Sequence, residues 1–183
     1  MKRSRRALIA ASAVGLVVIV LVAVFATEVA HPPASAKSPL LGKVAPAISG
    51  KDLLTGQTDR LAALRGRYVL VSFFASWCQP CNAEVPQLES FLFDHHSNVA
   101  VLGVLFDDSA ANAVRFLHSY GASWEAVTDP ATSVAVSYGV ADPPQSFLVS
   151  PEGQVVAWFP GAVTLQSLNA SLAAEIKTAK ANA

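Results

Sequence analysis

The chain predicts an α/β domain, a central mixed β-sheet with helices on both faces, carried behind an N-terminal transmembrane helix. Three observations lead there. Two nearly unbroken apolar and β-branched runs, at residues 68–74 and 99–106, have the composition of strands buried on both faces. Each is followed by a segment whose apolar residues recur at three and four, the period of an amphipathic helix. Further on, two more strand-like runs flank Ser150-Pro151-Glu152-Gly153, a hairpin signature. Strands alternating with helices, then a closing hairpin and helix, make a mixed sheet covered on both sides.

Lys2, Arg3, Arg5 and Arg6 form a basic tail over residues 1–6, and residues 7–27 carry no charge. As a helix rising about 1.5 Å per residue, that stretch spans about 30 Å, the thickness of a bilayer core. Positive charge ahead of it predicts a cytoplasmic N-terminus and an exported remainder. The run is longer than the apolar region of a cleavable signal, so a retained single-pass anchor in the lipid bilayer of the cell membrane is expected. Ala34-Ser35-Ala36 keeps open a cleavage that would release a soluble domain. Residues 28–40, with Pro32, Pro33 and Pro39, have the composition of a flexible tether, leaving 41–183 for the domain.

Within the domain, residues 40–56 mix short apolar runs with Gly and Pro and predict one or two short strands. Asp59 is an N-cap candidate for a brief helical turn over 59–64. After the strand at 68–74, in which Ser72 is the polar member, Val85, Leu88, Leu92 and Phe93 predict a helix from Cys78 to about residue 94, kinked at Pro86. Beyond the strand at 99–106 come a helix over 109–120 stopped by Gly121, an extended piece at 124–127 and a helix over 129–138 stopped by Gly139. Strands at 145–149 and 154–159, a helix over 165–176 and a frayed tail complete the chain.

The formal charge of zero hides an asymmetry, because 9 basic and 12 acidic residues from Lys37 onward leave a net of −3. An acidic domain gives no support for nucleic-acid binding, which shows a basic face.

The chemistry rests on the only two cysteines, Cys78 and Cys81. Export places them where disulfides persist. As a structural staple the pair is poor, since closing so small a loop contributes about 2 kcal/mol against about 3 kcal/mol for a loop of about 15 residues. As a redox pair it is well placed. Cys78 stands at a predicted helix start, where free N–H groups and the positive end of the dipole favour the thiolate, and Cys81 lies one turn deeper on nearly the same face. Pro80 fits the first turn, where its missing N–H costs nothing. None of His31, His95, His96 and His118 is spaced with the cysteines as a zinc set would be, so no metal and no cofactor are expected. His95 and His96 read as solvated residues at a helix end, and Asp107-Asp108 as a solvated loop.

Phe73-Phe74-Ala75-Ser76-Trp77-Cys78-Gln79-Pro80-Cys81 resembles the active-site segment of thioredoxin-like proteins. Its continuation, Asn82-Ala83-Glu84-Val85-Pro86, is similar to the membrane-anchored thiol-disulfide reductases of cytochrome c maturation, the ResA, CcmG and TlpA group. The resemblance runs on through Val101-Leu102-Gly103-Val104 with Asp107-Asp108, Tyr138-Gly139-Val140, and Pro144-Gln145-Ser146-Phe147-Leu148-Val149 with Gly153. It implies a thioredoxin-like fold and a thiol-disulfide oxidoreductase. Cys78, Cys81 and Glu84 are the implied catalytic residues, Glu84 matching an acidic residue of the group that tunes the pair. Pro144 matches the cis-proline that helps dock an extended substrate, Pro143 before it being a departure from the pattern, and Trp77 and Pro80 complete the substrate-binding set. Ser72 departs further, standing where cytoplasmic thioredoxins bury an aspartate as proton acceptor, a role serine cannot take at neutral pH. Proton handling then falls to Glu84 or water. The implied partners are protein disulfides, such as the haem-site cysteine pair of apocytochrome c, and a membrane electron donor of thiol-reducing type. The residues themselves leave the redox direction open. A general thiol oxidase or isomerase and a thiolate copper-binding module are the alternatives, while Ala75 stands where a peroxiredoxin has threonine.

Overall fold

The computed structural model describes residues 38–181. The basic tail, the apolar segment read as an anchor, and the tether up to Lys37 lie outside the described residues. Among the described residues, no helix is long and apolar enough to cross a membrane.

The chain runs β1 (Ser49–Lys51), β2 (Thr58–Arg60), a 3-10 turn (Leu61–Leu64), β3 (Tyr68–Phe74), α1 (Gln79–His95), β4 (Val99–Leu105) and α2 (Ala110–Tyr120). It continues through β5 (Glu125–Val127), α3 (Ser133–Tyr138), β6 (Gln145–Val149), β7 (Val155–Phe159) and α4 (Leu165–Ala181). Five strands form one sheet in the order β5-β4-β3-β6-β7. β3, β4 and β5 are parallel, while β6 and β7 run antiparallel on the other side of β3. The sheet is mixed, as its apolar runs and hairpin predict.

Every residue of β3 and β4 is buried, so alternate side chains feed two cores. Leu70 and Phe74 point to one face, against Val85, Leu88 and Phe91 of α1, Phe116 and Leu117 of α2, and Leu168 and Leu172 of α4. Val69, Val71 and Phe73 point to the other, against Leu61 and Val134 and Tyr138 of α3. Burying each of these large side chains stabilises the fold by about 1.5–3 kcal/mol. The register matters most at Ser72, which pairs with Gly103 on β4 and Ser146 on β6. Gly103 is there for space. A Cβ at that position would stand 3.0 Å from the Phe74 ring and 3.1 Å from the indole nitrogen of Trp124.

Five local readings change. Asp59 belongs to β2, a polar strand with no apolar alternation to reveal it, and the 3-10 turn has no side-chain cap. Phe93 is 82% exposed, and Phe91 takes the core position. At about 100° per residue Phe93 sits about 140° around the helix from Leu88, whereas Phe91 is only about 60° away. α3 begins at Ser133, because Asp129 turns inward and its carboxylate accepts from the Ala135 N–H at 3.0 Å. The tail beyond residue 176 continues α4 to Ala181. His95 is also not merely solvated, since its ring meets Asn169 of α4 at 2.9 Å and packs on Phe91.

Candidate active site

Parallel β3 and β4 end side by side, and the loops leaving them carry the chemistry. Cys78 is the N-cap of α1, in an extended conformation (φ −80°, ψ 104°), and its Sγ accepts from the Cys81 N–H at 3.3 Å. A sulfur therefore occupies the position where Ser or Asp would satisfy a free helix N–H. Pro80 lies in the first turn and is exposed. The two cysteines form a disulfide, with Cα atoms 5.3 Å apart. Both are almost fully covered, Cys78 at 3% and Cys81 at 2%, so exposure does not distinguish them. Position in the helix does, because Cys78 is the N-cap and its sulfur accepts from a first-turn N–H, while Cys81 lies inside that turn. Trp77, 57% exposed, is the large apolar surface beside the pair.

Glu84 follows Cys81 by one turn on the same helix face. It is buried at 2% exposure, and the Ser146 hydroxyl donates to its carboxylate at 3.2 Å. Burial pushes its carboxyl up to about 7, and the bond from Ser146 pulls only weakly the other way. Ser72, opposite Ser146 in the ladder, is buried on the same side of the sheet. The floor beneath the disulfide is thus one carboxyl group and two hydroxyl-bearing residues.

The Pro143–Pro144 peptide is cis, directly before β6. Gln145 pairs with Phe73, so the next step of the antiparallel ladder sets Pro144 beside Phe74, at the root of the cysteine loop. Pro143 is half-buried and Pro144 buried. Gln145 braces this segment, donating to the backbone and carboxylate of Asp142 and accepting from the Trp158 indole at 3.2 Å.

Of the loop at 107–108, Asp107 is exposed as expected, but Asp108 is partly buried and tied down. The Asp108 carboxylate accepts from the Ser76 N–H at 2.8 Å and hydroxyl at 2.5 Å, and from the Ser109 N–H and Asn112 amide at 2.7 and 3.1 Å. Partial burial would raise its carboxyl, but these four donors outweigh it and hold the group below the usual carboxylate range. The Asp107 carbonyl accepts from the Trp77 indole at 3.1 Å. The sequence alone assigns no site role to Asp108, Ser76 or Ser146. Ser146, a polar residue inside an otherwise apolar strand, was the one visible signal.

Residues 41–158 match the profile of the AhpC/TSA family. The chain belongs to that family. Among family relatives, the thiol:disulfide interchange protein CycY of Rhizobium leguminosarum bv. viciae is 35% identical over 128 residues, covering 69% of this chain and 67% of that protein. The thiol:disulfide interchange protein DsbE homolog of Paracoccus denitrificans is 34% identical, with 68% of each chain covered. In three dimensions, the thioredoxin domain of a thiol-disulfide oxidoreductase from Bacteroides vulgatus superposes with a TM-score of 0.66 at 29% identity, over 72% of this chain and 96% of that one. A thiol:disulfide interchange protein from Bacteroides sp. gives 0.62 at 30% identity, over 67% and 82%. The fold is thioredoxin-like, and with the Cys78–Cys81 pair at the start of α1 this family member is a thiol-disulfide oxidoreductase.

Proposed function

We propose that the protein is a membrane-tethered reductase of protein disulfides, acting outside the cytoplasm through Cys78 as attacking thiol. The observation that carries Cys78 as the attacking thiol is its sulfur at the N-cap of α1, and buried Glu84, one turn beneath Cys81, is what favours reduction. The Cys78 thiolate attacks one sulfur of a substrate disulfide. A mixed disulfide forms, and the other substrate sulfur leaves as a thiolate that takes up a proton. Cys81, deprotonated with Glu84 or water as acceptor, then attacks the Cys78 sulfur. The second substrate thiol is released, and the enzyme is left as the Cys78–Cys81 disulfide. Two electrons and two protons have passed to the substrate, and a membrane dithiol donor restores the reduced pair.

Glu84 supports the reducing direction. A strong oxidant of this type owes its potential to a stabilised reduced form. A buried carboxyl beside the pair does the opposite, because any negative charge it carries disfavours the thiolates in a medium that screens poorly. Trp77 and cis-Pro144 flank the pair as the docking surface for an extended substrate, with Pro80 and Pro143 on its rim. The resemblance to cytochrome c maturation reductases makes a Cys-x-x-Cys-His haem-attachment segment the proposed substrate, and residues 7–27 the proposed anchor.

Equilibration with a glutathione buffer tests the direction. A potential below about −200 mV is expected, and one near the −120 mV of a DsbA-type oxidant would overturn the reductase reading. For the substrate, the Cys81→Ala enzyme should trap a mixed disulfide with an oxidised Cys-x-x-Cys-His peptide faster than with a scrambled one. Equal trapping would remove the haem-site assignment.

A further inference from the structure

Four hydrogen bonds fasten the loop that carries Cys78 to the loop that leaves β4. The Phe106 N–H donates to the Phe74 carbonyl at 2.9 Å, the Trp77 indole to the Asp107 carbonyl, and Ser76 to the Asp108 carboxylate twice. The last is the strongest, an ionised acceptor taking both donors of one residue. It holds Ser76 by backbone and side chain together, so neither the position nor the rotation of that residue is free. Ser76 is two residues ahead of Cys78, and the Cys78 N–H in turn donates to the Ala75 carbonyl at 3.2 Å. Chain direction at Cys78 is therefore fixed from both sides of the Ser76–Trp77 peptide.

The clamp carries a backbone cost. Asp107 adopts φ 41°, in the left-handed region that a residue with a Cβ rarely occupies. That turn presents the Asp107 carbonyl to Trp77 and the Asp108 carboxylate to Ser76. Such a conformation persists only where surrounding contacts over-determine it. Asp108 is itself over-determined, since Ser109 and Asn112, at the start of α2, hold its second oxygen.

We infer that Asp108 is a positioning residue of the redox centre: by clamping Ser76 it keeps the Cys78 sulfur against the Cys81 N–H in the first turn of α1. Without the clamp the N-cap loop has backbone freedom to rotate the sulfur away, and the thiolate loses its hydrogen bond. The charged groups around this loop are Glu84 of α1, Asp107 and Asp108 themselves, Asp129, which lines a cavity with both of them, and Arg115 of α2, which shares another with Ser76 and Asn82. This rests on Cys78 being the attacking thiol, as proposed above.

Positioning and simple charge predict opposite signs. As a nearby negative charge, Asp108 would disfavour the thiolate, and its removal would lower the Cys78 thiol pKa. As a clamp it favours the thiolate, and its removal raises that pKa. The experiment is iodoacetamide alkylation of the reduced full-length protein against pH, with the modified cysteine identified by peptide mapping. Asp108→Ala should slow Cys78 alkylation below the thiol pKa by about 3- to 10-fold, half to one unit of pKa. Ser76→Ala, which keeps the backbone bond, should give a smaller shift of the same sign. Asp108→Asn retains an oxygen for Ser76 and should restore most of the rate. A wild-type profile in both Ala variants, or faster alkylation in Asp108→Ala, overturns the inference, whatever happens to the melting temperature. Should Asp108→Ala fail to fold, the Ser76→Ala profile decides. If Cys81 is the cysteine modified first in the wild-type protein, the proposed function fails instead.

Discussion

Two carboxyl groups flank the disulfide, and they have opposite fates. Glu84 lies in the floor with one hydroxyl donor, and its proton is held up to about pH 7. Asp108 lies at the rim with four donors, and its proton is lost below the usual range. Chemistry is the same in both, so the environment decides. Desolvation penalises the charged form of each, and only the number of N–H and O–H groups aimed at the oxygens reverses that penalty. One carboxyl can therefore exchange a proton near pH 7, while the other stays ionised there and organises a loop.

Removing the group both carboxyls serve has the largest effect. Cys78→Ala should reduce insulin disulfide turnover to the uncatalysed rate, and retained turnover would transfer the nucleophile's role elsewhere. The next largest effect separates the two carboxyls through stability. Glu84 has a folded pKa near 7, above its unfolded value of about 4.5. Its contribution is intact below the unfolded pKa and is lost as pH rises through 7, a penalty of up to about 3 kcal/mol in alkaline solution. Glu84→Gln should therefore match the parent near pH 4 and be more stable than it at pH 8 by about 2 kcal/mol. Urea unfolding at the two pH values measures this, and a Gln variant less stable at pH 8 would show that the carboxylate is satisfied there.

Asp108 should behave in mirror image, with a smaller amplitude. Its folded pKa is lowered, so its contribution is present above the unfolded pKa and disappears as pH falls through the folded one. Asp108→Asn should cost about 1–2 kcal/mol at pH 7, typical of losing charge-assisted hydrogen bonds at a partly exposed site. The deficit should close toward pH 2–3, and one independent of pH would mean that the charge is irrelevant.

Legibility in the sequence divides along the same line. The two carboxyls are equally visible as letters and both fall within the resemblance, yet only Glu84 is given a role by it, while Asp108 reads locally as part of a solvated loop. The sheet was readable because the runs at Tyr68–Phe74 and Val99–Leu105 are buried on both faces and leave no ambiguity of period. Local pattern failed where a polar residue turns inward to a distant partner. Asp108 meets Ser76 across 32 positions of chain, and Asp52 receives the Ala126 N–H across 74, sealing the edge of β5. Neither shows any periodicity. Phe93 failed for the converse reason: three apolar residues in succession, Phe91, Leu92 and Phe93, cannot share one helix face, and composition does not say which is left out.

The smallest expected effect tests the least visible partner. Ser146 supplies the hydrogen bond that pulls the Glu84 pKa downward, against the burial that raises it. A hydroxyl donor to a buried carboxylate is worth about 1 kcal/mol net, somewhat under one pKa unit. Ser146→Ala should accordingly move the Glu84 midpoint upward by about half a unit and leave Asp108 unchanged, the two groups sharing no hydrogen-bond partner. Infrared difference spectra of the carboxyl stretch, with Glu84→Gln as the blank, would read the midpoint directly. A downward move would mean that Ser146 donates to the protonated acid in preference to the anion. The floor would then be built to hold the proton, and Glu84 would act toward Cys81 as a proton donor in place of the acceptor role proposed above.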